Sequence, residues 1–262
     1  MRKVAFFSFI LLLLCSFSSP TLAANSKLKI PNSVMDISQE NTYPNPTQDV
    51  PELQPSDLTK ELMESAEVDI ENPDLIKMLN ESNISPSPVA IGYRATIYLG
   101  HWALNYESTE TAANWEYQKI NMNHNDNRGG KSAVQMRYKQ GAQKRVAGGL
   151  TAKIPKAEDV QKMMLINAVQ KTKLPLSFDT VVGVGTKLDN VYNIPPKKMG
   201  YLYAYVPAIN EKGKVTYGEV YLVLQGSKKK LVVKNITHQG IGAWIPIQDR
   251  VSLGFVISDQ PR

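Results

Sequence analysis

The residues of this chain best able to do chemistry are scattered acids, three histidines and several short runs of lysine. Glu107, Glu110 and Glu116 crowd one stretch beside Trp102, Trp115 and Tyr117. Carboxylates next to aromatic rings are the ingredients of glycoside hydrolysis, in which one acid protonates the leaving oxygen while the other attacks or activates water. With His101 converging on them, Glu107 and Glu116 would form the catalytic group of a glycan-directed extracellular hydrolase. A solvated acidic loop accounts for the same residues without any chemistry. Ser227, in Gly226-Ser227-Lys228, lacks the Gly-x-Ser-x-Gly elbow of a serine hydrolase, and no Ser/His/Asp grouping is legible from residue order.

Other sites fail on spacing. Gly129-Gly130-Lys131-Ser132 ends like a phosphate-binding loop, but Asn125 stands where the motif requires its first glycine. Asn123, Asn125, Asp126 and Asn127 offer calcium-loop oxygens, yet Arg128 replaces the obligatory glycine and Val134 the closing glutamate. An asparagine-rich turn is the simpler reading, because asparagine tolerates the left-handed conformations that turns need. His101, His124 and His238 share no ligand spacing, and the single cysteine, Cys15, rules out cysteine-built zinc sites. No metal and no cofactor is expected.

The basic residues are more informative. Lys139, Lys144 and Arg145 fall between expected strands, Lys197 and Lys198 follow Pro195-Pro196, and Lys228, Lys229 and Lys230 sit at an expected hairpin tip. Cations clustered at turns can meet an extended polyanion without a pocket. From Asn25 to Ser85 there are four lysines against twelve acids, a balance of −8; from Pro86 to Arg262, 24 basic against 12 acidic residues give +12. The acidic segment is expected either to cover the basic domain or to dock on a partner.

These residues must be positioned by a mostly β chain. Arg2 and Lys3, the apolar run Val4 to Phe17 and the small residues before Ala24 have the layout of a secretory signal peptide cleaved between Ala23 and Ala24. Leu14 before Cys15 is too bulky for a lipidation motif, so the exported chain is expected to be free of lipid and of cysteine. Residues 24–55, with five prolines, read as a largely disordered tether. Residues 56–88 read as two short amphipathic helices, one capped by Ser56 and one opening at Asn72-Pro73-Asp74, followed by the linker Asn83–Pro88. Residues 89–262 form the basic domain. Its strands alternate from Ile91 to Tyr106 around a bulge at Gly100; Trp115–Met122 and Ser132–Tyr138 form a further pair; a helix covers 156–171. Later strands are separated by turns at Asn210–Lys214 and Gly226–Lys230. The expected fold is mainly β within the α+β class, an antiparallel sheet or sandwich with one covering helix and a helical N-terminal arm.

The tract Tyr43-Pro44-Asn45-Pro46, the segment from Tyr93 through His101-Trp102 to Tyr106, and Asn114-Trp115-Glu116-Tyr117-Gln118 resemble the YfkD-like family of exported proteins of Gram-positive, spore-forming bacteria. The resemblance implies an extracytoplasmic compartment and one domain, and carries no catalytic residue. Together, polarised charge without a catalytic motif points to a non-catalytic cell-envelope protein rather than an enzyme. Its expected partners are an anionic wall polymer, a membrane surface or another exported protein, and not nucleic acid. The hydrolase built on Glu107, Glu116 and His101 is the alternative.

Overall fold

The computed structural model describes residues 28–46, 54–82 and 94–262; the leader, the Ala23–Ala24 junction and the linker Asn83–Pro88 lie outside these ranges. The elements in order are β1 (Val34–Asp36), α1 (Asp57–Glu64), α2 (Pro73–Glu81), β2 (Arg94–Asp126), β3 (Val134–Met136), β4 (Lys144–Ala147) and β5 (Gly149–Leu150). There follow α3 (Ala157–Thr172), β6 (Asp179–Val182), β7 (Tyr192–Ile194), β8 (Met199–Gln225), β9 (Lys228–Pro246) and β10 (Arg250–Ser258). The fold is mainly antiparallel sheet, as the alternation of the sequence requires. Among the described residues no helix is long and apolar enough to cross a membrane.

The spine is β8, a strand of 27 residues. One edge pairs with β2 along its whole length, while the other pairs with β10 through Met199–Tyr205 and with β9 through Ala208–Gln225. Between the pairs Arg94↔Gln225 and Asp126↔Met199, β2 runs 32 residue steps against 26 on β8, so β2 holds six extra residues, absorbed at five register shifts. One shift lies at Gly100, whose φ of +115° is a conformation that only glycine adopts cheaply, and the bulge expected there is present.

Because side chains alternate, the residues of β8 that point into any one core share a parity. Leu202, Ala204 and Val206 face a core shared with Ile37, Tyr138, Val146, Val182, Ile194, Val251 and Leu253. Farther along, Ile209, Val215 and Tyr217 are of the opposite parity and pack under α3 through Val160, Met163, Met164 and Ala168, the apolar face expected for that helix. At the far end the parity returns, and Val220 and Leu222 meet Leu62, Leu75, Ile76 and Leu79 of α1 and α2. The three cores thus occupy alternate faces of one long sheet.

The arm is fastened by polar contacts as well. The bulge residue Leu104 turns its carbonyl outward to accept the backbone N–H groups of Glu71 (2.7 Å) and Asn72 (3.1 Å). Asn72, fully buried, caps α2 by accepting from Asp74 and Leu75, and donates to the Ala103 carbonyl and to Asp159 of α3. It ties helix, sheet edge and covering helix together.

Three expectations are corrected. Residues Leu28–Pro46 are not a disordered tether: β1 adds to β10, and Ile37 is fully buried. Asn41 and Asn45 each donate to the Val181 carbonyl and to Asp249 Oδ1 at 2.8–3.0 Å, while their own side-chain carbonyls accept from Gly183 and Val181 N–H. Two asparagine side chains thus act as a substitute strand beside β6, and the prolines hold the chain extended for it. The second correction concerns Ser132–Tyr138, which does not return onto Trp115–Met122. Asn127, buried at the end of β2, donates to the carbonyls of Ser132, Ile194 and Pro195, steering the chain away so that β3 pairs with β7. Third, Asn210–Lys214 is not a turn but the middle of β8. A Cβ on Gly213 would lie 2.6 Å from the Tyr106 ring, so this glycine is a seat for an aromatic side chain and not a bend.

Asn41→Ala leaves the Gly183 N–H, and Asn45→Ala the Val181 N–H, without its acceptor, while the Val181 carbonyl keeps the other asparagine as a donor; each change should cost about 1–3 kcal/mol. Chemical denaturation of the single variants checks this, and removal of residues 28–46 should abolish the cooperative transition; an unchanged midpoint for both asparagine variants would contradict the substitute-strand role.

Candidate functional site

Strand alternation decides which basic residues can act together. Lys228, Lys229 and Lys230 open β9, and the trio divides. Lys229 points toward α1, where its side chain is only 15% exposed and lies 4.0 Å from Glu61. Lys228 and Lys230 point to the other face, which nothing among the described residues covers. Cross-strand partners share a face, so the rows there are Arg94–Gln225–Lys228, Thr96–Val223–Lys230, Tyr98–Tyr221–Val232 and His101–Glu219–Lys234.

This open face therefore presents four cations, Arg94, Lys228, Lys230 and Lys234, against one carboxylate. Glu219 is engaged, accepting from the Tyr221 hydroxyl at 2.8 Å, and that contact raises the phenol pKa. Lys234 lies 5.1 Å from the Tyr221 ring centroid, and Tyr98 packs on Tyr221 at 5.1 Å between centroids. The outcome is a flat sheet surface with aromatic and branched side chains at its centre and cations around them. Arg94, Lys234 and the tyrosine pair do not form a run in the sequence; only the register of β2, β8 and β9 collects them.

The other expected basic residues lie elsewhere. Lys197 and Lys198 precede β8, at the opposite end of a strand whose residues rise about 3.3 Å each, on the order of 80 Å along its path. Lys198 pairs with Asp259, and Arg145 with Asp179. Lys139 is exposed and faces Lys187 directly across an antiparallel bridge, and Lys144 lies farther along the same ribbon. These residues make a second basic zone that does not join the first.

The acids singled out for catalysis do not converge. His101, Glu107 and Glu116 all lie on β2, six and nine residues apart, or roughly 20 and 30 Å at the rise of a strand. His101 stacks on Tyr217, Glu107 lies 3.4 Å from Lys214, and Glu116 neighbours Tyr205. Nor does the asparagine loop hold a cation site: Asn127 is consumed by backbone carbonyls, Asp126 is held at a pKa of about 2 by hydrogen bonds from Arg128, and no metal-ligating cluster occurs among the described residues.

Sequence reasoning missed a cleft of about 510 Å³ between the arm, α3 and the edge of β2, lined among others by Asp69, Glu71, Glu107, Lys171, Lys214 and His238. Its floor is rigid. Tyr106 donates to Glu211, a fully buried carboxylate that also accepts from Thr111 at 2.6 Å. Burial and the Glu211 charge together push the Tyr106 pKa far above its ordinary value, so it stays a donor. Glu71 accepts from the Tyr106 backbone N–H at 3.4 Å. Although Glu71 as a residue is exposed, loss of water around its carboxyl raises its pKa, and nearby Asp69 raises it further.

The sequence profile of the family described as YfkD-like protein matches residues 31–262 of the chain. The chain is also 63% identical over 263 residues to the Uncharacterized protein YfkD of Bacillus subtilis (strain 168), with all of both sequences covered. No solved structure matches it.

A raised folded-state pKa fixes the sign of a pH effect at Glu71. The folded protein holds that proton more tightly than the unfolded chain, so the contribution is complete below the ordinary carboxylate range and is lost as pH rises through the raised value. Glu71→Gln should therefore match the wild type in thermal melts under acid conditions and exceed it at neutral pH; a Tm difference that does not grow with pH would refute this.

Proposed function

The chain belongs to the YfkD-like family, and we propose that it is an exported, non-catalytic cell-envelope protein that holds an anionic wall polymer on the open face formed by β2, β8 and β9. The observation that carries this reading is the gathering of Arg94, Lys228, Lys230 and Lys234 on one face that no other described residue covers, with a single, already engaged carboxylate among the described residues. Three of the cations stand along β9 and Arg94 stands on β2, and like charges gathered on one face repel, so an anion laid across them relieves that repulsion. The leader-like residues 1–23 support export and so make polymers of the envelope the available polyanions.

A flat, twisted strip suits a chain better than a compact ligand. Lys228 and Lys230 stand two residues apart, about 6–7 Å, and Lys234 continues the row beyond them. Phosphate groups repeated along a flexible polymer can engage these in turn, while Tyr98 and Tyr221 pack against the carbon backbone between charges. Selectivity for a sequence of sugars is not required, since the contacts are charge and apolar area.

The acidic arm does not compete for this face. Its helices pack on the opposite side of the same strands, with Glu61 against Lys229. The arm neutralises the side it covers and leaves the other side cationic.

The alternation gives a sharp test. Replacing Lys228, Lys230 and Lys234 together with glutamine should weaken retention on immobilised poly(glycerol phosphate) about tenfold at low salt, taking roughly 0.5 kcal/mol for each exposed pair. Lys229→Gln should leave retention unchanged, because that side chain faces α1. Raising the salt should erase the difference, since exposed charges are screened over about 8 Å at physiological ionic strength. Equal losses from Lys229→Gln and the triple variant, or none from either, would overturn the assignment.

A further inference from the structure

The cleft between the arm, α3 and the edge of β2 differs from the open face in having charges of both signs, of which Glu107 and Lys214 pair while Asp69, Glu71 and Lys171 do not pair with any described residue. Asp69 and Glu71 enter from the arm and Lys171 from the last turn of α3, and none of the three takes part in an ion pair among the described residues. Lys214 enters from β8 and touches only Glu107, at 3.4 Å between exposed atoms. Opposite charges in one cavity ordinarily collapse onto each other; here the backbone holds Asp69 and Glu71 away from Lys171. Glu71 and Asn72 are bound to the Leu104 carbonyl, the Asp69 carbonyl accepts from Asn105, and α3 is fixed by its apolar face, so neither wall can close the gap.

We propose that this cleft binds a small zwitterion of the amino-acid or short-peptide class. Its ammonium lies between Asp69 and Glu71, and its carboxylate meets Lys171 and Lys214. A polyanion is repelled by Asp69, Glu71 and Glu107, and a polycation by the two lysines, whereas a molecule with both charges satisfies both walls. The volume is that of pockets that hold small organic ligands. The arm, on this account, is one wall of a binding site as well as a packing element, and the site is independent of the open face of the sheet.

Calorimetry with three related peptides tests the idea on the full mature chain. Triglycine carries both end charges, N-acetyl-triglycine lacks the ammonium, and triglycine amide lacks the carboxylate. Triglycine should bind with Kd at or below about 1 mM, and each blocked form should bind about tenfold more weakly or worse, as expected for loss of one charge-assisted contact. Glu71→Gln should weaken triglycine and the amide but leave N-acetyl-triglycine unchanged. Lys171→Met should weaken triglycine and N-acetyl-triglycine but leave the amide unchanged. Blocked peptides binding within twofold of triglycine, Glu71→Gln and Lys171→Met acting alike on every peptide, or no binding of triglycine at about 10 mM would each overturn the proposal.

Discussion

The hydrogen-bonded ladder along β8 is the constraint from which the rest follows. A strand of 27 residues paired on both edges cannot turn over within its length, and its side chains must alternate throughout. A core placed on one face leaves the other face of the same stretch exposed unless a further layer is added. The chain has three covering layers: the β3/β4–β6/β7 ribbon, α3, and the α1/α2 arm. They are laid on alternate faces, and the face opposite the arm is left open. The cationic rows at the far end are the complement of the α1/α2 core on the same strands.

The edge strand β2 accommodates this arrangement by being longer than its partner. Its six extra residues bend the edge and interrupt the run of free backbone groups that would otherwise template pairing with another chain. The bulges are also used. Gly100 permits one register shift, the Leu104 carbonyl receives the arm, and Ile120 drops into the β10-side core. A regular β2 would offer the arm no outward carbonyl at Leu104, and the cleft would lose its wall.

What was legible in the sequence was local. The α3 face at Val160, Met163, Met164 and Ala168, the cap at Asn72, the Gly100 bulge and the Gly226-Ser227 hairpin each follow from residue chemistry within a few positions. The misreadings share a cause, which is that a residue type serving a turn can equally serve a distant contact. Gly213 resembled a turn glycine, but it is small because Tyr106 lies across it. Asn41 and Asn45 resembled tether residues, yet their amides complete the edge of β6 across more than a hundred positions of sequence. The lysine trio was visible as charge. Its division between two faces, and its union with Arg94 and Lys234, depend on register, which local pattern does not fix.

The opposite signs of the arm and the domain acquire a geometric meaning from this register. At the far end, α1 brings Asp57, Glu61 and Glu64 to one side of the sheet, while Arg94, Lys228, Lys230 and Lys234 stand on the other. The two sides are separated by the thickness of a sheet and a helix, about 10 Å each and so roughly 20 Å together, more than twice the ~8 Å over which physiological salt screens charge. The end of the molecule is thus polarised across its thickness and not neutralised. On the proposed reading, a polymer bearing regular negative charge would be drawn to one side and turned away from the other, so the field would orient the protein before any side chain makes contact. Lys229 belongs to the acidic side by parity and is paired there, which keeps its charge off the open face.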